Sequence, residues 1–325
     1  MISIAVSEAS QIGEARREAA QLAADLGFDE AGAGRAALVA NELASNLVKH
    51  AGGGEVLLDG STQGLDVLAI DRGPGIANLK ACMADGYSTA GTLGHGLGAV
   101  KRLAQSLEVV SWPRLGTAIL ARLARREAGP LDFVDEIGAV VIPKRGEEAC
   151  GDAWSWYADG DDRVVFVVDG LGHGTEAALA AHEAVRQFQR SRREPADAVI
   201  QAVHAALKPT RGGAIAVARV DAAAASISFA GLGNIAAVAV GRDGRTRRMV
   251  SHNGTAGHNA RKIQAFDYPF AAGLLVMHSD GIDTRWSLDR YPGLAQAHPL
   301  LIAGVIYRDH ARERDDATVV ILRLG

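Results

Sequence analysis

Apolar and polar positions along the chain follow two periods, and the switches between them lay out its elements. A short apolar run at residues 1–6 leads into a charged stretch of helical spacing, and a second helical pattern spans residues 35–50. Two strand-like runs follow, the later one at 65–70. A glycine-rich loop at 91–98 then opens into a short helix at 99–105, and two more strand-like runs end at 117–123. This order predicts a helical layer on a mostly antiparallel sheet. Beyond the polar run Arg125-Arg126-Glu127-Ala128-Gly129-Pro130 the pattern changes. Strands are expected near 136–142, 153–158 and 163–169, helices at 175–193 and 195–207, and further strands at 214–220, 226–230, 236–240, 274–279 and 317–324. In the first of these helices Ala178, Ala181, Val185 and Phe188 recur at helical spacing and mark a core-facing stripe. The segment 222–241 is uncharged and long enough to be mistaken for a membrane span. It alternates, however, on both sides of Gly-Leu-Gly-Asn, which predicts a β-hairpin.

A length of 325 residues exceeds what one core usually supports, roughly 250–300 residues, and predicts two domains. We place them at 1–126 and 131–325, joined by a linker at 127–130, in an overall α/β (α+β) class. The 48% hydrophobic and 22% charged composition predicts that both halves fold. A net charge of -4 argues against nucleic acid as a partner, since counterion release needs a basic surface. Cys82 and Cys150 are too few for a disulfide framework and lack the spacing of a zinc site, which fits a reducing compartment. The N-terminus lacks the basic flank and cleavage site of a secretory signal, so a cytoplasmic protein without membrane attachment is expected.

Chemistry-bearing residues gather in the first half around the second helix. Glu42, Asn46 and Lys49 are spaced four and three apart and share one helical face. An acid, an amide and a cation in an otherwise apolar helix could arrange a metal ion and phosphates; the alternative is an exposed polar stripe. At the end of strand 65–70 stands Asp71-Arg72-Gly73-Pro74-Gly75, where a carboxylate can take a base amine and glycines let backbone approach a flat ligand. A plain turn would use the same residues. The loop Gly91-Thr92-Leu93-Gly94-His95-Gly96-Leu97-Gly98 runs into a helix N-terminus, which presents amides to phosphate.

Acids at strand ends dominate the second half: Gly151-Asp152, Asp169-Gly170-Leu171-Gly172-His173-Gly174, Ser279-Asp280-Gly281-Ile282 and Asp315-Asp316-Ala317-Thr318. One such acid is ordinarily a turn or a cap, but four ask for a common explanation. An oxygen-only set suits hard divalent cations. Asp169 with Gly170 is the best candidate to bridge two ions, which at a separation of about 3.5–4 Å activate water for an in-line phosphoryl displacement.

In this order, the first three motifs resemble those of the gyrase/histidine-kinase/MutL (GHKL) ATPase superfamily, and most closely the RsbT/RsbW-type switch kinases, over residues 1–124. The resemblance implies an α/β sandwich that binds ATP and Mg2+. Asn46 would hold the ion, Asp71 the adenine amine, and Gly94, Gly96 and Gly98 the phosphates. Lys49, Gly73 and Gly75 would complete the nucleotide site, and Glu42 would act as the base on an acceptor hydroxyl. Residues 77–92 would form the lid, and His50 and His95 would be structural or supporting. The second set, over residues 131–325, resembles the SpoIIE/RsbX branch of the PPM serine/threonine phosphatases. That implies an α-β-β-α sandwich holding two Mn2+ or Mg2+ ions through Asp152, Asp169, the Gly170 carbonyl, Asp280 and Asp315, with Asp316 as the alternative to Asp315. His173 would be a general acid or a support for the ligands, and Lys144 and Arg145 a solvated pair or a phosphate contact.

Together the resemblances imply a bifunctional partner-switching regulator of stress signalling. It would phosphorylate and dephosphorylate a serine or threonine on a STAS-domain antagonist, within a sigma-factor regulatory system. The alternative is a phosphatase whose first domain only binds a sigma factor or a STAS protein when nucleotide is present. Related ATP-binding modules often pair, which leaves a homodimer open.

Overall fold

Alternation along the strands of the first half buries both faces of one sheet. The computed structural model describes residues 1–61, 63–79, 96–125 and 136–325. It divides into two units, Met1–Asp135 with Arg290–Arg308, and Glu136–Asp289 with Asp309–Gly325. In the first unit the elements run β1 (Ile2–Val6), α1 (Ala9–Asp25), α2 (Glu30–Asn46), a π-helical turn (Leu47–Ala51), β2 (Gly54–Gly60), β3 (Gly64–Ile70), α3 (Gly96–Leu103), β4 (Ser106–Trp112) and β5 (Gly116–Ala124). The strands form an antiparallel sheet in the order β1-β2-β3-β5-β4.

Asp29 starts α2 by accepting from the Gly32 N–H at 2.7 Å, as expected of an aspartate before a helix. Ala15, Ala19 and Ala23 on α1 and Ala36, Val39, Ala40, Leu43 and Ala44 on α2 form the buried stripes. Their small side chains let the helices lie close to each other and to Val56, Leu58, Leu65, Val67, Ile119 and Ala121 of the sheet. The intervening strand residues Leu57, Leu68, Ile70, Ala118 and Leu120 point to the opposite face and are equally buried.

In the second unit the elements are β6 (Ile137–Ile142), β7 (Asp152–Asp159), β8 (Asp162–Gly170), α4 (Thr175–Ser191), α5 (Ala196–Ala206), β9 (Gly213–Asp221), β10 (Ser226–Leu232), β11 (Ala236–Gly241), β12 (Thr246–Arg248), β13 (Phe266–Pro269), β14 (Gly273–His278) and β15 (Ala317–Leu324); a further helix between β14 and β15 in the chain belongs to the first unit as far as Arg308. Two five-stranded antiparallel sheets result, ordered β13-β10-β9-β8-β7 and β12-β11-β14-β15-β6. Helices α4 and α5 pack on the first, with Phe188 stacked on Phe166 at 5.0 Å and Ala181, Val199 and Val203 among the core residues.

The expected hairpin around Gly-Leu-Gly-Asn is corrected here: β10 and β11 flank the turn but belong to different sheets, β10 pairing with β9 and β13, and β11 with β12 and β14. Alternation records that each strand has alternating faces, not which neighbour it pairs with. The turn is a crossing between sheets, as at a sandwich corner.

The further helix, α6 (Pro299–His310), was not foreseen. Leu300, Leu301, Ile302, Ala303, Gly304, Val305 and Ile306 are all buried, so no polar stripe gives it helical periodicity. Its Gly304 rests on the second face of the first unit's sheet. A methyl group added there would lie 2.7 Å from Leu68 Cδ2, so a larger residue would have to push the Leu68 side chain aside. In the same segment Tyr291 packs edge-on to Trp112 with ring centres 5.1 Å apart, and the Tyr307 hydroxyl donates to Glu55 at 3.1 Å. Among the described residues no helix is long and apolar enough to cross a membrane.

Candidate functional sites

The end of α2 and the end of β3 meet in the first unit. Following Asn46 the helix widens into the π-helical turn and stops at Gly52, whose φ of 74° closes the turn. Lys49 therefore leaves the α-helical spacing that the sequence implied and is exposed, whereas Glu42 and Asn46 are half-buried on α2. Gly73 packs against Ala51 at the end of this turn, where a Cβ would stand 2.7 Å from the Ala51 Cα. Gly96 opens α3 beside Asn46, and a Cβ there would lie 3.5 Å from Asn46 Oδ1. Gly98 is buried in the first turn of the same helix.

Asp71 is held as a directed acceptor. Its N–H donates to the Thr117 carbonyl, while its Oδ1 accepts from the N–H groups of Gly73 at 2.7 Å and Thr117 at 3.2 Å. Burial pushes its carboxyl above the ordinary value, against the two amides and Arg308, which favour the ionised form. The structure thus brings Asn46, Asp71, Gly73 and Gly96 into one neighbourhood. Gly75 follows at a φ of 76°. Gly94, His95 and the 80–92 part of the expected lid lie outside the described residues, as do Cys82 and the linker 127–130. A carboxylate with one oxygen fixed by backbone, next to an amide side chain and a helix N-terminus, fits a nucleotide base and its phosphates.

In the second unit the strand ends converge. Asp152 and Asp169 are direct partners across β7 and β8, and the Gly170 N–H donates to the Gly151 carbonyl at 2.9 Å. Antiparallel pairing of β14 with β15 sets the loop after one beside the start of the other, so Asp280 and Asp315 come together. Asp169, Asp280, Asp315, His173, Asn234 and Arg314 line a cavity of about 480 Å³. Asp316 is engaged elsewhere: its carboxylate accepts from the Lys144 and Gly151 N–H groups at 2.7 and 2.9 Å. Lys144 thus contributes its backbone, and Arg145 is exposed.

Two features of this cavity and of Asp152, which pairs with Asp169 behind its lining, fit divalent cations. Oδ2 of Asp152, on a residue only 4% exposed, has no hydrogen-bond partner. The donors are oxygens, and their charges repel. Burial, then the nearby acids, Asp152 first, push the Asp169 carboxyl up to about 9. Asp152 is pushed up to about 7 by burial in spite of the Ser279 and Thr318 hydroxyls. Among the described residues no three His, Cys, Asp and Glu side chains form a metal cage by themselves, so the shell would need the Gly170 carbonyl and water as well.

The sign of the pH dependence follows. Both carboxyls hold protons in the folded metal-free chain that the unfolded chain releases near the ordinary aspartate value of 3.8, so this stability is complete below that value and is lost as pH rises toward about 9. In chelator the melting temperature should drop by several degrees between about pH 5 and about pH 8, and Mn2+ should restore more of it at the higher pH. A melting temperature that rises over this range, with no difference in the Asp169→Asn protein, would contradict the assignment.

Sequence reasoning missed three contributors to this site. Asn234 donates from Nδ2 to Asp280 at 2.6 Å, Glu147 accepts from His173 Nδ1 at 2.6 Å, and Arg314 lines the cavity next to Asp315. Asn234 was legible only as a turn residue, because its partner stands 46 positions away.

Two antiparallel sheets that gather acids around a cavity, joined to a helix-on-sheet nucleotide cradle, define a metal-dependent phosphatase fused to a kinase-like ATPase. The chain belongs to the SpoIIE family: residues 159–325, just over half of it, match Stage II sporulation protein E. Residues 5–123 match the histidine kinase-like ATPase domain. Serine/threonine-protein kinase RsbT of Bacillus subtilis (strain 168) is 38% identical over 111 residues, covering 33% of this chain and 84% of RsbT. Phosphoserine phosphatase RsbX of the same organism is 22% identical over 146 residues, covering 44% of this chain and 72% of RsbX. A solved chain described under the bacterial stressosome, a modular system adapted to control secondary messenger signaling, matches with a TM-score of 0.54 and 29% identity, covering 58% of this chain and 98% of its own. The chain therefore combines an RsbT-like kinase domain with an RsbX/SpoIIE-type phosphatase domain.

Proposed function

We propose that the two domains, 1–126 and 131–325, act in opposition on a STAS-domain protein, the first phosphorylating a serine or threonine and the second removing the phosphate. The observation that supports this reading is the presence in one chain of two groups of residues suited to these chemistries, Asn46 with Asp71 and Gly96, and Asp152 with Asp169, Asp280 and Asp315. In the first, Asp71 receives the adenine amine, Asn46 holds Mg2+, Gly94, Gly96 and Gly98 line the phosphates, and Glu42 takes the acceptor proton. In the second, Asp152, Asp169, the Gly170 carbonyl, Asp280 and Asp315 hold Mn2+ or Mg2+. Bound in pairs, such ions supply an activated water and neutralise charge on the phosphoryl oxygens. Around them Asn234 orients Asp280, Glu147 orients His173, and Arg314 offers a guanidinium to the substrate phosphate.

The test incubates the full chain with a STAS-domain protein, labelled ATP and Mg2+ or Mn2+. Label should accumulate on the partner in the Asp169→Asn protein, stay low in wild type, and vanish when Glu42→Ala is added. Failure of every protein to label the partner, with wild type still hydrolysing phosphopartner, would make the first domain a nucleotide-dependent binding module.

A further inference from the structure

We propose that Arg308 is a positioning residue for Asp71, so that the nucleotide site of the first unit is completed by a helix 237 residues downstream. This inference rests on the nucleotide reading above. Arg308 is 5% exposed, and its Nη1 donates to the main-chain carbonyl of Asp71 at 2.7 Å. A buried guanidinium persists only where its donors and charge are met, so this placement is specific.

The geometry that delivers it is built into one face of α6. Gly304 and Arg308 are four residues apart and share a stripe, with Tyr307 beside them. Gly304 lets the helix descend onto Leu68 and Ile70 of β3, the strand that ends immediately before Asp71. Tyr307 anchors the same face on Glu55 of β2, which pairs with Ile70. The helix then reaches the Asp71 peptide with its guanidinium.

Two consequences act on the carboxylate. Fixing the Asp71 carbonyl from one side, while its N–H is fixed on Thr117, holds the main chain from which the carboxylate extends, and the Gly73 and Thr117 N–H groups then hold Oδ1 in one orientation. The positive charge also favours the ionised carboxylate, whose second oxygen then accepts from a base amine with no proton in the way. Arg308 would thus touch no part of the nucleotide and still set how well its base is read.

The experiment titrates the full chain with ATP, GTP and inorganic tripolyphosphate in Mg2+ by calorimetry, comparing wild type with Arg308→Met. Loss of a charge-assisted hydrogen bond should weaken ATP binding by about tenfold or more and shrink the preference for ATP over GTP by the same factor, with tripolyphosphate affinity unchanged. A purely structural role would weaken all three ligands together, and that result overturns the inference, as does an unchanged ATP affinity and preference. If wild type binds no ATP, the nucleotide reading falls and the inference with it. Should Arg308→Met fail to fold, Arg308→Lys carries the same comparison, because it keeps the charge but loses the planar fork of donors; about a threefold loss confined to ATP is then expected.

Discussion

Expressed alone, residues 1–126 should aggregate or melt far below the full chain. In the structure one face of the sheet β1-β2-β3-β5-β4 packs on α1, α2 and α3, but Leu57, Leu68, Ile70 and Leu120 of the other face are at most 1% exposed and lie on the side where the Arg290–Arg308 segment rests. Uncovering four large aliphatic side chains at roughly 1.5–3 kcal/mol each is on the order of 6–12 kcal/mol, an upper estimate because the unfolded chain already shields some of this area. A domain of this size has about 5–15 kcal/mol of stability in total. The fragment would also lose the hydrogen bonds of Trp112 to Pro292, of His298 to Glu108 and of Arg308 to Asp71. Size-exclusion chromatography and thermal unfolding check this directly. Replacing Leu68 and Leu120 with lysine should rescue the solubility of the fragment while destabilising the full chain. A monomeric fragment with cooperative unfolding near that of the full chain would show that the face needs no cover.

Asp169→Asn should reduce phosphate release by more than about 100-fold, beyond the ~10–100-fold typical of losing a supporting partner of a metal ligand. Asp169 faces Asp152 across β7 and β8, shares a hydrogen bond with Asp280, and is repelled by Asp315 and Asp316. An amide keeps the shape but removes the charge on which divalent cation binding depends. The same change removes buried repulsion, so the metal-free variant should melt higher than wild type at about pH 8 and gain less from Mn2+. Release of phosphate from a phosphoserine peptide, with melting curves in chelator and in Mn2+, measures both effects. Retained activity together with unchanged metal stabilisation would remove Asp169 from the site.

Much of this molecule was written locally. The amphipathic alanine stripes of α1, α2 and α4, the alternating strands, and the Asp-Gly turns are signals carried by neighbours in sequence, and the structure has helices and strands where these patterns placed them. The acids of the cavity were legible because each sits at a strand end beside small residues. Other features had no local signal. Lys49 left its expected face because a π-helical turn, invisible to a 3.6-residue period, follows Asn46. The apparent hairpin at Gly-Leu-Gly-Asn became a crossing because alternation does not encode pairing.

The sequence by itself determined most of the local conformation, the strands, the amphipathic helices and the turns that end them, since propensity, periodicity and turn geometry act over a few positions. Only the tertiary structure decided that Asn234 meets Asp280, that Asp316 is tied to backbone while Asp315 faces the cavity, and that a helix from the SpoIIE-matched half lies against β3 with Arg308 on Asp71. Those are contacts between residues tens to hundreds of positions apart. They are selected by burial and hydrogen-bond satisfaction over whole faces, and a face buried on all sides, like that of α6, has no polar stripe to announce it.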